Sequence, residues 1–389
     1  YNEQAGRDAD QIARIIEVIQ TGAVAKALTD FPDMSEKINA RFAPAAKLLR
    51  ESQTQAKTVS DQFARHQSGQ AADYAAFADS VRSLAQERET AAALESKIGD
   101  QMAQLYTSYT KILKDMKEEF TVTIKRESWD ENSDYNTSRF TSFTRIVDAE
   151  TYETLTADNV DNIGEVRAGF SGSSFVPRIS PAAWDALGIN PASQWPARNH
   201  NAAAFWVDGS QETYYHSYLL ENEGETKETG WQKVSPSVYD ANIEYLGMAV
   251  LAKPYGTFED DALTQAAPPG MAYVGDSRYG EWKEDNNGDR FWSWYGKYMF
   301  FSNLFFFPST YLYYNSWYGW RNNYRYKKPY FGKSKTGSKI YGTQGTYVRK
   351  SPKFQSTHFA KSGGFKSQSA SVRGAGSGIR GGGPRSKGK

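Results

Sequence analysis

The spacing of apolar residues along the chain changes twice. Through residue 118 apolar positions recur at intervals of three and four, the period of helices with one buried face, and Gly and Pro are confined to Gly6, Gly22, Pro32, Pro44, Gly69 and Gly99. Pro32 and Pro44 predict breaks. After Gln67, Ser68 and Gly69 a heptad seam runs through Phe77, Leu84, Ala91, Ile98, Leu105 and Ile112. Its partner position carries Val81, Arg88, Glu95, Met102, Tyr109 and Met116, so the seam is polar in the middle and apolar toward its end. Two or three such helices folded back on one another would hide these seams, so residues 1–118 are expected to form an antiparallel helical hairpin, a coiled-coil stalk, with a helical bundle packed against the body as the alternative. At Phe120 the period becomes two, with Phe120, Val122 and Ile124 alternating with Thr121, Thr123 and Lys125, as in a half-buried strand.

A β-rich body over 119–265 follows, with further strands predicted at 139–147, 205–207, 213–220 and 245–252. Asp208-Gly209 reads as a tight turn and 181–187 as a short helix opening on Pro181. Ala266, Ala267, Pro268, Pro269 and Gly270 read as a linker. It leads into an aromatic hairpin module ending at residue 331. Residues 332–389, rich in Gly, Ser, Lys and Arg without periodicity, read as a disordered tail. The expected fold class is α+β.

Charge sharpens this division. The last acidic residue is Asp289; residues 1–289 carry 27 basic and 45 acidic side chains, a formal −18, and residues 290–389 carry 19 basic and no acidic ones. Such a bipolar chain implies an anionic partner for its C-terminal part, or neutralisation of one part by another. The absence of cysteine removes disulfides, thiolate catalysis and Cys-ligated metals. It also fits an exported protein. The first residue is Tyr1, for which a cleaved signal peptide is the leading explanation. A lipidated cysteine just before it would tether the chain by acyl groups.

Catalytic signatures fail on inspection. Gly169, Ser171 and Ser173 lack the closing glycine of a hydrolase elbow. Gly332-Lys333-Ser334 has the end of a phosphate loop, with Lys327 where its first glycine belongs. Asp130, Asn132 and Asp134 have calcium-loop spacing, but Tyr135 and Thr141 replace the required Gly and Glu. Glu259, Asp260 and Asp261 are acidic, but their spacing shows no paired function. His66, His200, His216 and His358 contain no pair at i, i+4. His216, in a strand between Tyr215 and Ser217, reads as a structural histidine. No enzyme, cofactor or metal is expected.

Tyr279-Gly280-Glu281-Trp282, Asn286-Asn287-Gly288-Asp289 and the run from Phe291 to Tyr298 predict a hairpin with an Asn-Gly turn. This string, continuing into an aromatic stretch and a Gly/Ser/Arg tail, resembles a segment of uncharacterised bacterial exported lipoproteins. The likeness covers the last quarter of the chain and supports a cell-envelope address. It carries over no site residues.

Residues 291–331 hold 20 aromatics in 41 positions. Asn303 and Pro308 within 291–314 argue against a membrane span, since Tyr and Trp prefer the headgroup layer. An interfacial segment is expected instead, with Trp292, Trp294, Phe300, Phe301, Phe305, Phe306 and Phe307 as rings; packing of these rings against the body is the alternative. Arg321, Arg325, Lys327 and Lys328, interleaved with Tyr324, Tyr326 and Tyr330, supply charge beside stacking surfaces. Arg380 opens an Arg-Gly-Gly-Gly string like those of RNA-binding tails. The reading is a non-enzymatic, exported envelope protein of the periplasm or outer surface, docking on an anionic membrane or envelope polyanion, with a homo-oligomer available through the coiled coil. Its competitors are a glycan-binding or glycan-processing envelope protein and an RNA-binding protein.

Overall fold

The structure, a computed structural model, describes residues 1–130, 138–148, 201–303, 312–334 and 336–365. It is mixed helix and sheet. The chain divides into two compact units, Tyr1–Tyr109 with Ala252–Leu263, and Thr110–Leu251 with Thr264–Lys389.

In the first unit, α1 (Asn2–Ile19) continues through a π turn, Gln20–Val24, into α2 (Ala25–Asp30), followed by α3 (Ser35–Gln67) and α4 (Tyr74–Gln104). The buried residues Ile12, Ile16, Ile19, Val24, Ala27 and Phe31 explain the π turn. Their steps of three and four hold one face, but the step of five from Ile19 to Val24 would rotate Val24 by about 140° off it in an α-helix. The wider turn absorbs the extra residue.

α1, α3 and α4 pack against one another pairwise, so three helices share the core, within the two or three expected to fold back on one another. Leu84, Ala91, Ile98 and Leu105 of the heptad seam are buried with Ile12, Ile16 and Ile38. Each such aliphatic side chain contributes about 1.5–3 kcal/mol of transfer free energy. The polar position Arg88 donates from Nη1 to Oδ1 of the buried Asp8 at 2.9 Å. That pair ties the register of α1 to α4, because separating it would leave a charge buried alone.

Two boundaries differ from expectation. Pro32 opens the break between α2 and α3, but Pro44 lies inside α3. Pro44 and Ala40 are both exposed, so water can satisfy the Ala40 carbonyl that loses its partner. The helical stretch also stops at Gln104 rather than 118; Tyr109, Ile112 and Met116, which continue the heptad on paper, belong to β1 (Tyr109–Asp130). Thr107, Ser108 and Thr110 are weak helix formers. Leu113 instead exchanges backbone hydrogen bonds with Gly247 and Met248 at 2.8 and 3.0 Å.

Lys253 closes the end of α4. Its side chain is fully buried, and Nζ donates to the Gln104 carbonyl, to the Thr107 carbonyl at 2.7 Å and to Thr107 Oγ1 at 3.0 Å. A cation there satisfies carbonyls that a helix end leaves open. Lys253→Met is expected to lose about 2–3 kcal/mol of stability, read by urea denaturation at the helical circular-dichroism band. An unchanged midpoint would reassign the lysine to a passive role.

The second unit is built on a six-stranded sheet of β1, β2 (Ser138–Asp148), β3 (Asn201–Asn222), β4 (Glu225–Glu228), β5 (Gln232–Val234) and β6 (Ala249–Lys253). Its main path is β2-β1-β3-β4, with β5 pairing β3 and β6 pairing β1. β1 and β2 are antiparallel with Phe120 opposite Val147. β3 turns into β4 through Glu223 and Gly224, both at positive φ, the two-residue turn that matches strand twist. Asp208-Gly209, expected as a turn, lies within the continuous β3. Residues 245–248 precede β6 rather than joining it.

Ala266, Ala267, Pro268, Pro269 and Gly270 are buried, not a linker: Ala267 pairs with Ala249, and the rings of Trp294 and Phe301 pack over Gly270. The expected disordered tail is likewise structured as far as residue 365. Helices Thr346–Lys350, Pro352–Gln355 and His358–Lys361 place Tyr347, Val348, Phe354 and Phe359, and the turn after them places Phe365, in the same core as Leu113, Met116, Phe120, Val122, Tyr214 and Tyr239. The buried carboxylate of Asp115 on β1 accepts from the backbone N–H of His358 at 2.9 Å and of Phe359 at 3.1 Å. The expected helix at 181–187, Gly169, Ser171, Ser173, Asn132, Asp134 and His200 lie outside the described residues, as do residues 366–389.

Candidate anionic-surface interface

The expected aromatic hairpin is present. β7 (Gly280–Glu284) and β8 (Arg290–Trp294) pair antiparallel with Trp282 opposite Trp292. Asp285 shapes the loop, its Oδ1 accepting from the N–H of Asn287 at 2.9 Å and of Asp289 at 3.0 Å. Trp292 N–H donates to Leu312 O at 3.0 Å, so the hairpin holds the approach to helix Tyr314–Asn323. Trp282 meets Trp292 edge-on at 5.0 Å and Trp317 at 5.4 Å. Gly275, at φ +90°, makes room for Trp317, since a Cβ there would lie 2.4 Å from the indole.

These contacts bear on the two readings of the rings. Trp292 and Phe301 are buried in the protein, Trp294 and Phe300 are half-buried, and Phe305, Phe306 and Phe307 lie outside the described residues. Internal packing thus takes up Trp292 and Phe301. Among the described residues no helix is long and apolar enough to cross one.

Of the expected cations, Arg321, Lys327 and Lys328 are exposed and Arg325 is half-buried. Helix Tyr314–Asn323 buries Trp317 and Trp320 and exposes Tyr318, Arg321 and Asn322. The Arg321 guanidinium lies 5.2 Å over Trp317, and that of Arg325 lies 5.8 Å over Trp320 and 5.1 Å over Tyr326. Lys328 Nζ lies 4.7 Å over Tyr324, while Lys327 Nζ donates to the Asn322 carbonyl at 2.8 Å. Ring contacts of this kind contribute about 0.5–1 kcal/mol each and hold long side chains in place, leaving the ends of Arg321 and Lys328 exposed while Nε of the half-buried Arg325 is covered. Among the described residues none of these four cations forms an ion pair. Arg380 lies outside the described residues.

The sequence reading missed Arg290, Tyr318 and the exposure of Tyr326. Arg290 lies 5.0 Å over Tyr314, and Tyr318 and Tyr326 are 54% and 51% exposed. The signal was available for Tyr318: Trp317, Trp320 and Tyr324 share a helical spacing, which places Tyr318 and Asn322 on another face, with Arg321 one turn after Trp317 at its edge.

His216 and Glu221 are among the buried titratable groups elsewhere in the same unit. His216 is fully buried, its Nδ1 2.8 Å from Tyr218 Oη, and burial with the nearby Lys111 charge pushes its pKa down to about 4. This is the geometry of a neutral core histidine. Glu221 is also fully buried; its Oε1 accepts from Gly224 N–H at 2.7 Å, and burial raises its pKa to about 7 against the opposing effects of Gly224, Thr110, Lys297 and Tyr273. Among the described residues no group of His, Asp and Glu is placed to hold a metal ion.

The arrangement offers fixed cations beside exposed phenol rings, a surface that attracts anions and contacts rings or headgroups. Comparison of the chain with protein-family models, with curated proteins and with solved structures finds no match.

Proposed function

We propose that this is a non-enzymatic interaction protein of the bacterial cell envelope that docks on an anionic membrane surface through Arg321, Arg325, Lys327, Lys328 and the tyrosines among them. The observation that carries the reading is a set of four cations at the end of one helix, Arg321, Arg325 and Lys328 held against rings and Lys327 against the Asn322 carbonyl, in a stretch with no acidic residue after Asp289. Each basic residue near an anionic leaflet contributes about 1 kcal/mol, falling off within a Debye length. The buried tryptophans serve as a platform for the charges and do not enter lipid themselves. Export, the envelope address and assembly through the helical unit belong to the proposal.

Flotation of the full chain with phosphatidylglycerol-containing and with neutral vesicles across a salt series tests it. Binding only to the anionic vesicles, with release as salt rises, is expected. Combined Arg321→Gln, Arg325→Gln, Lys327→Gln and Lys328→Gln should weaken binding by at least about a hundredfold with the circular-dichroism spectrum unchanged. Equal flotation of both proteins would exclude this face.

A further inference from the structure

Among the described residues only two besides glycine hold a positive φ, Glu223 at 50° and Tyr326 at 60°. Glu223 has a local reason, since a two-residue hairpin turn requires it. Tyr326 stands where the chain leaves helix Tyr314–Asn323, a place that glycine or asparagine fills with less strain because a larger residue's Cβ crowds its own carbonyl there. The turn is nevertheless closed, with Lys327 N–H and Lys328 N–H both donating to Tyr324 O at 2.8 and 3.0 Å.

The ring gains little from the protein in return. It is half exposed, and its described polar and cationic contacts come from Arg325 alone, whose guanidinium lies 5.1 Å over it and whose Nη2 is 3.4 Å from the hydroxyl. A large aromatic held in a strained conformation, facing solvent and flanked by Arg325, Lys327 and Lys328, is used by something outside the molecule. We infer that Tyr326 is the aromatic anchor of the docking face, placing its ring in the headgroup layer of an anionic phospholipid surface while Arg321, Lys327 and Lys328 meet the phosphates. This rests on the docking reading above. A phospholipid surface fits because the ring is amphipathic and favours the membrane–water boundary, and because the cations around it carry no acidic counterpart from Asp289 onward.

Tyr326→Gly separates the two roles of the residue. Relief of strain should leave the thermal midpoint unchanged or raise it by about 2 °C, while the affinity for phosphatidylglycerol vesicles falls about fivefold at about 0.1 M salt. Tyr326→Phe should keep most of the affinity. If Tyr326→Gly binds like the parent while the four-cation variant does not, the anchor is wrong and the docking reading stands. If Tyr326→Gly lowers the midpoint, the ring is structural. If the parent ignores vesicles, docking and anchor fall together; capture by a soluble polyanion instead would assign the face to another partner.

Discussion

Phe359→Ala is expected to lower the stability of the sheet unit by about 3–5 kcal/mol, the range for a fully buried phenylalanine. Phe359 has no exposed surface, packs edge-on with Phe365 at 5.6 Å, and lies over Gly364, where a Cβ would come within 2.5 Å of its ring. Its backbone is fixed by Asp115, whose carboxylate also accepts from Met116 N–H at 2.8 Å. Asp115→Ala should cost about 3 kcal/mol by leaving buried N–H groups unsatisfied. Because the two residues touch, the double variant should lose less than the sum. Urea denaturation followed by near-ultraviolet circular dichroism gives the comparison; changes within about 0.5 kcal/mol would mean that the segment is not part of the core. The expected loss also bears on function. A truncation at residue 270 or 331 would remove core along with charge, so the docking face has to be tested by substitution.

The C-terminal segment shows why parts of the fold were not legible in the sequence. Tyr347, Val348, Phe354, Phe359 and Phe365 are spaced irregularly among Gly, Ser and Lys because each short helix contributes only one or two anchors, so no period emerges. Ala266 to Gly270 misled in a related way. Small residues and prolines mark linkers by composition, but they also let rings such as Trp294 approach closely. Long elements with one persistent face were legible: α4 through Leu84, Ala91 and Ile98, β1 through Phe120 and Val122, and the β7–β8 hairpin. At the candidate interface the charge asymmetry identified Arg321, Arg325, Lys327 and Lys328. Which rings face inward depended on helix phase and on Gly275, and the strain at Tyr326 is a property of φ that no residue count contains.

Glu221→Gln should change the shape of the stability curve between pH 4 and 8. In the folded protein burial raises the Glu221 pKa from 4.5 to about 7, so the fold holds a proton that the unfolded chain releases earlier. Its contribution is fully present below pH 4.5 and is lost as pH rises toward 7, about 3 kcal/mol in all. His216 works in the opposite sense. Its folded pKa, lowered from 6.5 to about 4, makes the fold resist a proton that the unfolded chain accepts, so stability falls as pH drops from 6.5 to 4, again by about 3 kcal/mol. The windows overlap, and from these two groups the parent's stability should be nearly flat between about pH 4.5 and 6.5. Glutamine keeps the acceptor for Gly224 N–H and removes the titration. The variant should therefore match the parent near pH 4 and exceed it by about 3 kcal/mol near pH 8, with a rising curve between that exposes the His216 effect. Denaturation midpoints at five or so pH values decide the matter. A variant less stable than the parent at pH 8 would show that Lys297, whose side chain packs over Gly224, favours the Glu221 carboxylate more than burial opposes it. The turn between β3 and β4 would then be fastened by that charge pair, and the upward displacement of the Glu221 pKa would be refuted.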